Sequence, residues 1–240
     1  MEDFPKYEDL QKIAPQMMIS IMEKINQAFS DVSIPIPNRI DAINLLRSLH
    51  KYHTTYFFEL FGAIKYKFLK NCLHYKENPR LQQISLYFIR EIFDDDSYNV
   101  SNELVYDLYY DILQLMEANI NSGLKESAKS AIRTMAEKVP NDAKIVVLID
   151  TFKNADSNLS QFISECFNLA IERLRGYIHL NYNFNDIFDK LDIDMDNEEY
   201  LIKLRPLFHI LKNSLEKDDE NLILLNLKDD NKLLYKKLTS

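Results

Sequence analysis

One apolar pattern returns along this chain at intervals near forty residues, and few folds accommodate that. It reads apolar, apolar, any, any, apolar: "LLRSL" from Leu45, "FIREI" from Phe88, "AIRTM" from Ala131, "AIERL" from Ala170 and, more loosely, "LFHIL" from Leu207. The starts are 43, 43, 39 and 37 residues apart. Ala42, Ser85, Ala128 and Phe167 lie three positions before the first four segments, on the same helical face. A recurrence of this length predicts stacked helix pairs, each too small to bury its apolar face except against its neighbours. Arg47, Arg90 and Arg133 share the third position, where they are expected on the rim of the inner layer; Glu172 departs from this in the fourth unit.

Only three glycines occur in 240 residues, Gly62, Gly123 and Gly176. Sandwiches, barrels and nucleotide-binding α/β folds need many more glycine turns, so the class predicted is all-α. Breakers fall between the apolar runs at Pro35 and Pro37, Asn78-Pro79, Ser122-Gly123 and Val139-Pro140, and Ser101 reads as an N-cap. The expectation is about ten helices in five pairs over residues 11–216. A short extension, 1–10, precedes them and a tail, 217–240, docks in part. No linker is long enough to split the array.

Charge and cysteines narrow the function classes. A net charge of −8 argues against a nucleic-acid binder. Cys72 and Cys166 sit in apolar helical patterns and read as buried free thiols. The opening "MEDFPKYEDL" is acidic and no leader, and the longest apolar runs, such as "IVVLI" from Ile145, fall far short of the ~20 residues that span a bilayer. A soluble intracellular protein without membrane contact is expected.

Catalytic and metal signals are weak. Asp192, Asp194 and Asp196 stand at the first, third and fifth places of a calcium loop, but Asn197 replaces the glycine and Lys203 the closing glutamate. That stretch reads as a solvated acidic turn. His50, His53, His74, His179 and His209 show no zinc spacing, and no nucleophile elbow or phosphate loop occurs. No cofactor and no enzymatic activity are expected. "FDDDSYNVSNE" from Phe93 is a second acidic cluster, a solvated loop or a contact for a basic partner. The aromatic run Tyr56, Phe57, Phe58, Phe61, Tyr66 and Phe68, with Tyr106, Tyr109 and Tyr110, is mostly core, with some rings facing outward as a partner surface.

"IPNRIDAINLLRSLHKYH" from Ile36 resembles the opening HEAT repeat of TOG domains, and "GLKESAKSAIRTMAEKVPNDAKIVVLI" from Gly123 resembles their third and fourth repeats. The likeness runs from about Gln11 to Asn213 and is nearest to TOG-array regulators of axonemal microtubules and to CLASP-like proteins. It implies a HEAT-repeat α-solenoid, a TOG-like paddle that binds tubulin along one edge made of the turns before the second helix of each pair. Carried onto this chain, the edge comprises Ile36 and Arg39 in the first unit. Lys76, Asn78, Pro79 and Arg80 supply the second. Asn121, Ser122, Gly123, Leu124 and Lys125 supply the third, and Lys153, Asn154 and Asp156 the fourth. Arg39, Arg80, Lys125 and Lys153 are expected to meet acidic patches, with Ile36 and Leu124 as apolar contacts. Ile36 stands where the family usually has tryptophan. The resemblance implies a tubulin or microtubule binder in the cytoplasm and cytoskeleton, in a cilium axoneme or similar array. The alternative class is a structural adaptor that links non-tubulin proteins in a larger assembly.

Overall fold

A computed structural model describes residues 4–94, 101–117, 121–138, 147–148, 151–152, 155, 157–175, 198–215, 232 and 236. Among these residues the regular structure is helical throughout. Eight longer helices follow one another: α1 (Met18–Ser30), α2 (Ile36–Tyr52), α3 (Thr54–Phe68), α4 (Pro79–Asp94), α5 (Asn102–Glu117), α6 (Ser122–Lys138), α7 (Ser157–Arg175) and α8 (Glu198–Leu215). All five repeated segments fall inside helices, α2, α4, α6, α7 and α8. Their central residues Leu46, Ile89, Ile132 and Ile171 have no exposed surface. Neither do Ala42, Ser85 and Ala128, each four residues before the first three of these, so the expected face is the buried one.

The chain forms two compact units. One is Met1–Asp95 with Ala118–Ala131, and the other is Asp96–Glu117 with Ile132–Ser240. In the first, α1 buries Met18, Ile21, Ile25, Ala28 and Phe29, one stripe at helical spacing. Helix α2 ends at Tyr52, and α3 starts one residue later. His53, at φ −145° and ψ 54°, makes that corner. Its N–H donates to Leu49 O at 2.7 Å and its carbonyl accepts from Phe57 N at 3.0 Å. Asn26 and Lys67 meet near the ends of α1 and α3, and Ile13 and His53 meet before their starts, so these two helices run parallel. Helix α2 runs parallel to α4 in the same way: Arg39 reaches the turn before α4 and Arg47 reaches Glu91 near its end.

The core between these pairs is aromatic. Phe88 of α4 lies edge-on to Phe57, Phe61 and Phe68 of α3, with centroids 6.0, 5.6 and 5.6 Å away. Edge-to-face pairs of this kind add about 0.5–1.5 kcal/mol each to the burial of the rings. Tyr56 and Tyr66, on the other side of α3, are exposed.

In the second unit α7 packs against α8. Tyr109 of α5 is fully buried, and its hydroxyl donates to Ile132 O at 3.3 Å. Burial holds that phenol well above its ordinary pKa. Arg133 is half exposed, bonded to Glu165 at 3.1 Å and stacked over Phe162. The three arginines of the repeat therefore differ. Arg133 is a rim charge and Arg90 is half-buried, but Arg47 is interior at 1% exposure. The tail lies outside the described residues except for Lys232 and Lys236, both exposed. Among the described residues no helix is long and apolar enough to cross a membrane.

Candidate binding edge

The edge expected from sequence begins where α1 gives way to α2. Asp31 is extended, and its Oδ1 accepts from Ser33 N at 2.8 Å. Those bonds from Ser33, backbone first and then side chain, hold the Asp31 carboxyl below its ordinary pKa. Pro35 O accepts the first helical bonds, from Asn38 N and Arg39 N. Pro37 sits in the first turn of α2, where no N–H is needed. Ile36 is half-buried, and Val32 just before it is 51% exposed.

Arg39 is not on this edge but behind it. Its side chain is 1% exposed. Nε donates to Ile34 O at 2.9 Å, one terminal nitrogen donates to Asn71 O at 2.7 Å, and the other bonds Val32 O. The guanidinium also lies 4.6 Å from the centre of the Tyr75 ring. The i, i+3, i+4 pattern already put Arg39 on the face of Ala42, Ile43 and Leu46. A group with five donors stays buried there because it finds three carbonyls on two stretches of backbone.

A π-helical turn, Leu69–Leu73, supplies part of that ring of acceptors. The wider turn sends the buried Asn71 inward, and its amide donates to Phe29 O at 2.6 Å. Gln82 of α4 donates to Leu73 O at 2.8 Å. Arg39, Asn71 and Gln82 thus tie the first two turns to each other. Cys72 lies within this knot, and burial pushes its thiol up to about 12, partly offset by Arg39.

Asn78 caps α4, its side chain accepting from Leu81 N at 2.8 Å, and Pro79 is the first helical residue. Tyr75 is half-buried and donates to Glu77 at 2.7 Å. Lys76 and Arg80 are exposed, Lys76 in the turn and Arg80 already in the first turn of α4. At the third position Asn121 is the cap, accepting from Leu124 N at 2.8 Å. Ser122, Gly123, Leu124 and Lys125 are therefore helical, not turn. Leu124 is 3% exposed and packs inward, so it is no surface contact; Lys125 is half-exposed. Gln83 donates to Ser127 at 3.3 Å, linking the second and third positions. Lys153, Asn154 and Asp156 lie outside the described residues.

Of the charged residues expected at the edge and described, Lys76, Arg80 and Lys125 are at the surface and Arg39 is buried; the expected apolar contact Leu124 is buried too. Sequence reasoning missed Val32 and Tyr75. The signal for Val32 was its place beside Ser33 and Pro35, where an apolar side chain has no helix to bury against.

A shallow cleft between α4 and α6 is lined by Leu86, Tyr87, Arg90, Glu126, Ser127 and Ser130. Its arginine lies over Tyr87 and its glutamate pairs with Lys129. Among the described residues no group of three His, Cys, Asp or Glu is placed to hold a metal ion. The acidic stretch from Asp192 to Asp196 lies outside the described residues, as do Asp95 and Asp96. Comparison with protein-family models and with curated proteins finds no match for this chain.

Proposed function

We propose that this chain is a non-catalytic binding protein, a TOG-like HEAT array that engages tubulin through the edge before α2, α4 and α6. Polymerised tubulin in a cilium axoneme or comparable cytoskeletal array is the partner assigned. The supporting observation is the Arg39–Asn71–Gln82 knot, which immobilises two successive turns from inside and leaves Lys76 and Arg80 exposed in front of it. Pre-ordered turns lower the entropy cost of docking. Val32 and Ile36 supply apolar contact, and Lys76, Arg80 and Lys125 face an acidic partner, setting encounter rate and salt sensitivity more than affinity. The test is co-sedimentation of the full chain with assembled microtubules, run beside gel filtration with unpolymerised tubulin. Pelleting with microtubules supports the reading; no association in either assay rejects it.

The adaptor reading has one observation in its favour. On α5, Tyr106 and Tyr110 are 39% and 46% exposed with rings nearly parallel, 6.3 Å between centres. Glu103, Asp107 and Asp111 share that face, and α5 carries no Lys or Arg. A face of this chemistry suits a basic protein rather than acidic tubulin.

A further inference from the structure

The segment before α1 lies along the C-terminal half of α2, and the way it is held is informative. Arg47 donates to Pro5 O at 2.9 Å. Lys51 donates to Tyr7 O at 2.7 Å and to Glu8 O at 3.0 Å. Tyr52 donates to Leu10 O at 2.8 Å, and His53 Nε2 donates to Ile13 O at 3.0 Å. Every one of these donors is a side chain of α2 or the corner after it, and every acceptor is a backbone carbonyl. Such contacts read the path of a peptide rather than its sequence.

Sequence is read at a second set of positions. The Phe4 ring lies 4.0 Å from the Arg47 guanidinium. The Tyr7 hydroxyl and His50 Nδ1 share a hydrogen bond at 3.1 Å, and Lys51 sits over the Tyr7 ring. Leu10 and Ile13 are 6% and 7% exposed. Phe4, Tyr7, Leu10 and Ile13 stand three residues apart, whereas Lys6, Glu8, Asp9, Gln11 and Lys12 between them are exposed. A period of three belongs to polyproline II, and the backbone agrees: Lys6 at φ −63°, ψ 154°, Leu10 at −64°, 134° and Ala14 at −70°, 138°. The single 3₁₀ turn, Tyr7–Asp9, also has three residues per turn and so keeps the phase. Polyproline II makes no internal hydrogen bonds, which leaves the carbonyls of Pro5, Leu10 and Ile13 for the donors of α2; in the 3₁₀ turn Tyr7 O accepts from Leu10 N at 3.4 Å as well as from Lys51.

We propose that the C-terminal half of α2 is a recognition site for a polyproline-II-like segment with a bulky apolar or aromatic side chain every third residue. Residues 4–13 fill it in cis, and a partner's segment of the same chemistry displaces them. This site is separate from the tubulin edge, which lies at the other end of α2, and does not depend on it. A covalently attached occupant acts at an effective concentration in the millimolar range, so a free peptide competes only when the strap is weakened.

The probe is a labelled synthetic peptide of residues 2–15. Its binding is measured by fluorescence anisotropy to the full chain and to the full-length Leu10→Ala, Ile13→Ala variant, with circular dichroism as the fold check. At least tenfold tighter binding to the variant is expected. Adding Lys51→Met and Tyr52→Phe should then reverse that gain. A peptide with one glycine inserted after the tyrosine, which breaks the period of three, should bind at least tenfold more weakly. No binding to a folded variant, or equal binding of the interrupted peptide, overturns the proposal. A weakened chain that instead dimerises by exchanging straps reassigns the site to a second copy and also overturns it. Should the variant not fold, hydrogen exchange on the unaltered chain decides. Amides of residues 6–14 are expected to exchange at least tenfold faster than those in the middle of α2; exchange only with global unfolding rejects the site.

Discussion

Helix α2 carries two arginines eight residues apart, Arg39 and Arg47, each 1% exposed, and they are kept inside by different means. Arg39 has backbone carbonyls and an aromatic ring around it. Arg47 makes a two-pronged ion pair with Glu91, both bonds 2.6 Å, and adds Pro5 O, Asn44 and the Phe4 ring. A carbonyl cage is part of the backbone and cannot be mutated away, whereas an ion pair can be exchanged as a unit. One end of α2 is therefore a fixed clamp on two turns, and the other is a socket whose occupant is held by side chains.

The largest effect is expected at the socket end. Arg47→Ala leaves Glu91 with its partner removed at a site where the carboxylate is 17% exposed, and breaking such a pair costs about 3–5 kcal/mol. Denaturant unfolding of Arg47→Ala should show that loss, and the joint change Arg47→Met with Glu91→Leu should recover most of it, because apolar replacements of a buried pair are often neutral. Arg39→Met should cost somewhat less, about 2–3 kcal/mol, from buried carbonyls left without a donor. No second substitution should recover it. If a compensating side-chain change does restore stability, the two arginines are not different in kind.

A thiol probe separates the ends further. Burial holds Cys72 near pKa 12, so alkylation at pH 8 should be negligible in the folded chain and rapid on unfolding. Arg39→Met should raise the Cys72 reaction rate by loosening the turn around it, and Arg47→Met should not. The native state prefers the neutral thiol, so the stability from its burial is complete below pH 9 and declines as pH rises towards 12. Equal reactivity in the two variants contradicts a local clamp.

The smallest effect is expected at Asp31, on the surface of the clamped turn. Its folded pKa is lowered, so its contribution is present above the ordinary value of 3.8 and is lost as pH falls through the lower folded value. Acid unfolding of Asp31→Asn should therefore be less pH-dependent below 3.8 than that of the parent. An unchanged profile means that the Asx turn adds nothing to the clamp.

Much of the helical register was legible in the residues. Leu46, Ile89, Ile132 and Ile171 are buried where the forty-residue recurrence put them, and Ser101 caps α5 through Leu104 N at 3.3 Å. What failed did so for identifiable reasons. Ser122-Gly123 read as a break, yet the Asn121 cap starts α6 before it, and a glycine in the first helical turn disrupts little. Arg39 read as an edge charge because a charged group is expected at the surface, and the carbonyls that hold it inside, Val32 O and Ile34 O before the helix and Asn71 O in the π-helical turn, are not announced by any local pattern. Residues 1–10 read as an acidic extension, and the strap's continuation to Ile13 was not seen, because a period of three matches neither the helix nor the strand template. Of the edge, the exposure of Lys76 and Arg80 was legible, while the inward packing of Leu124 was hidden by the same misplaced helix start.

If the clamped edge meets tubulin, as proposed, reversal of its charge should weaken the contact. Arg80 and Lys125 both stand in the first turns of helices, where glutamate is favourable for the helix itself. The double variant Arg80→Glu, Lys125→Glu should melt like the parent. Microtubule co-sedimentation is measured for both proteins at two ionic strengths. The variant is expected to lose at least tenfold in affinity at low salt, with the gap narrowing at high salt as exposed charges are screened. A folded variant that pellets as the parent does, at both salt concentrations, contradicts a tubulin-binding edge.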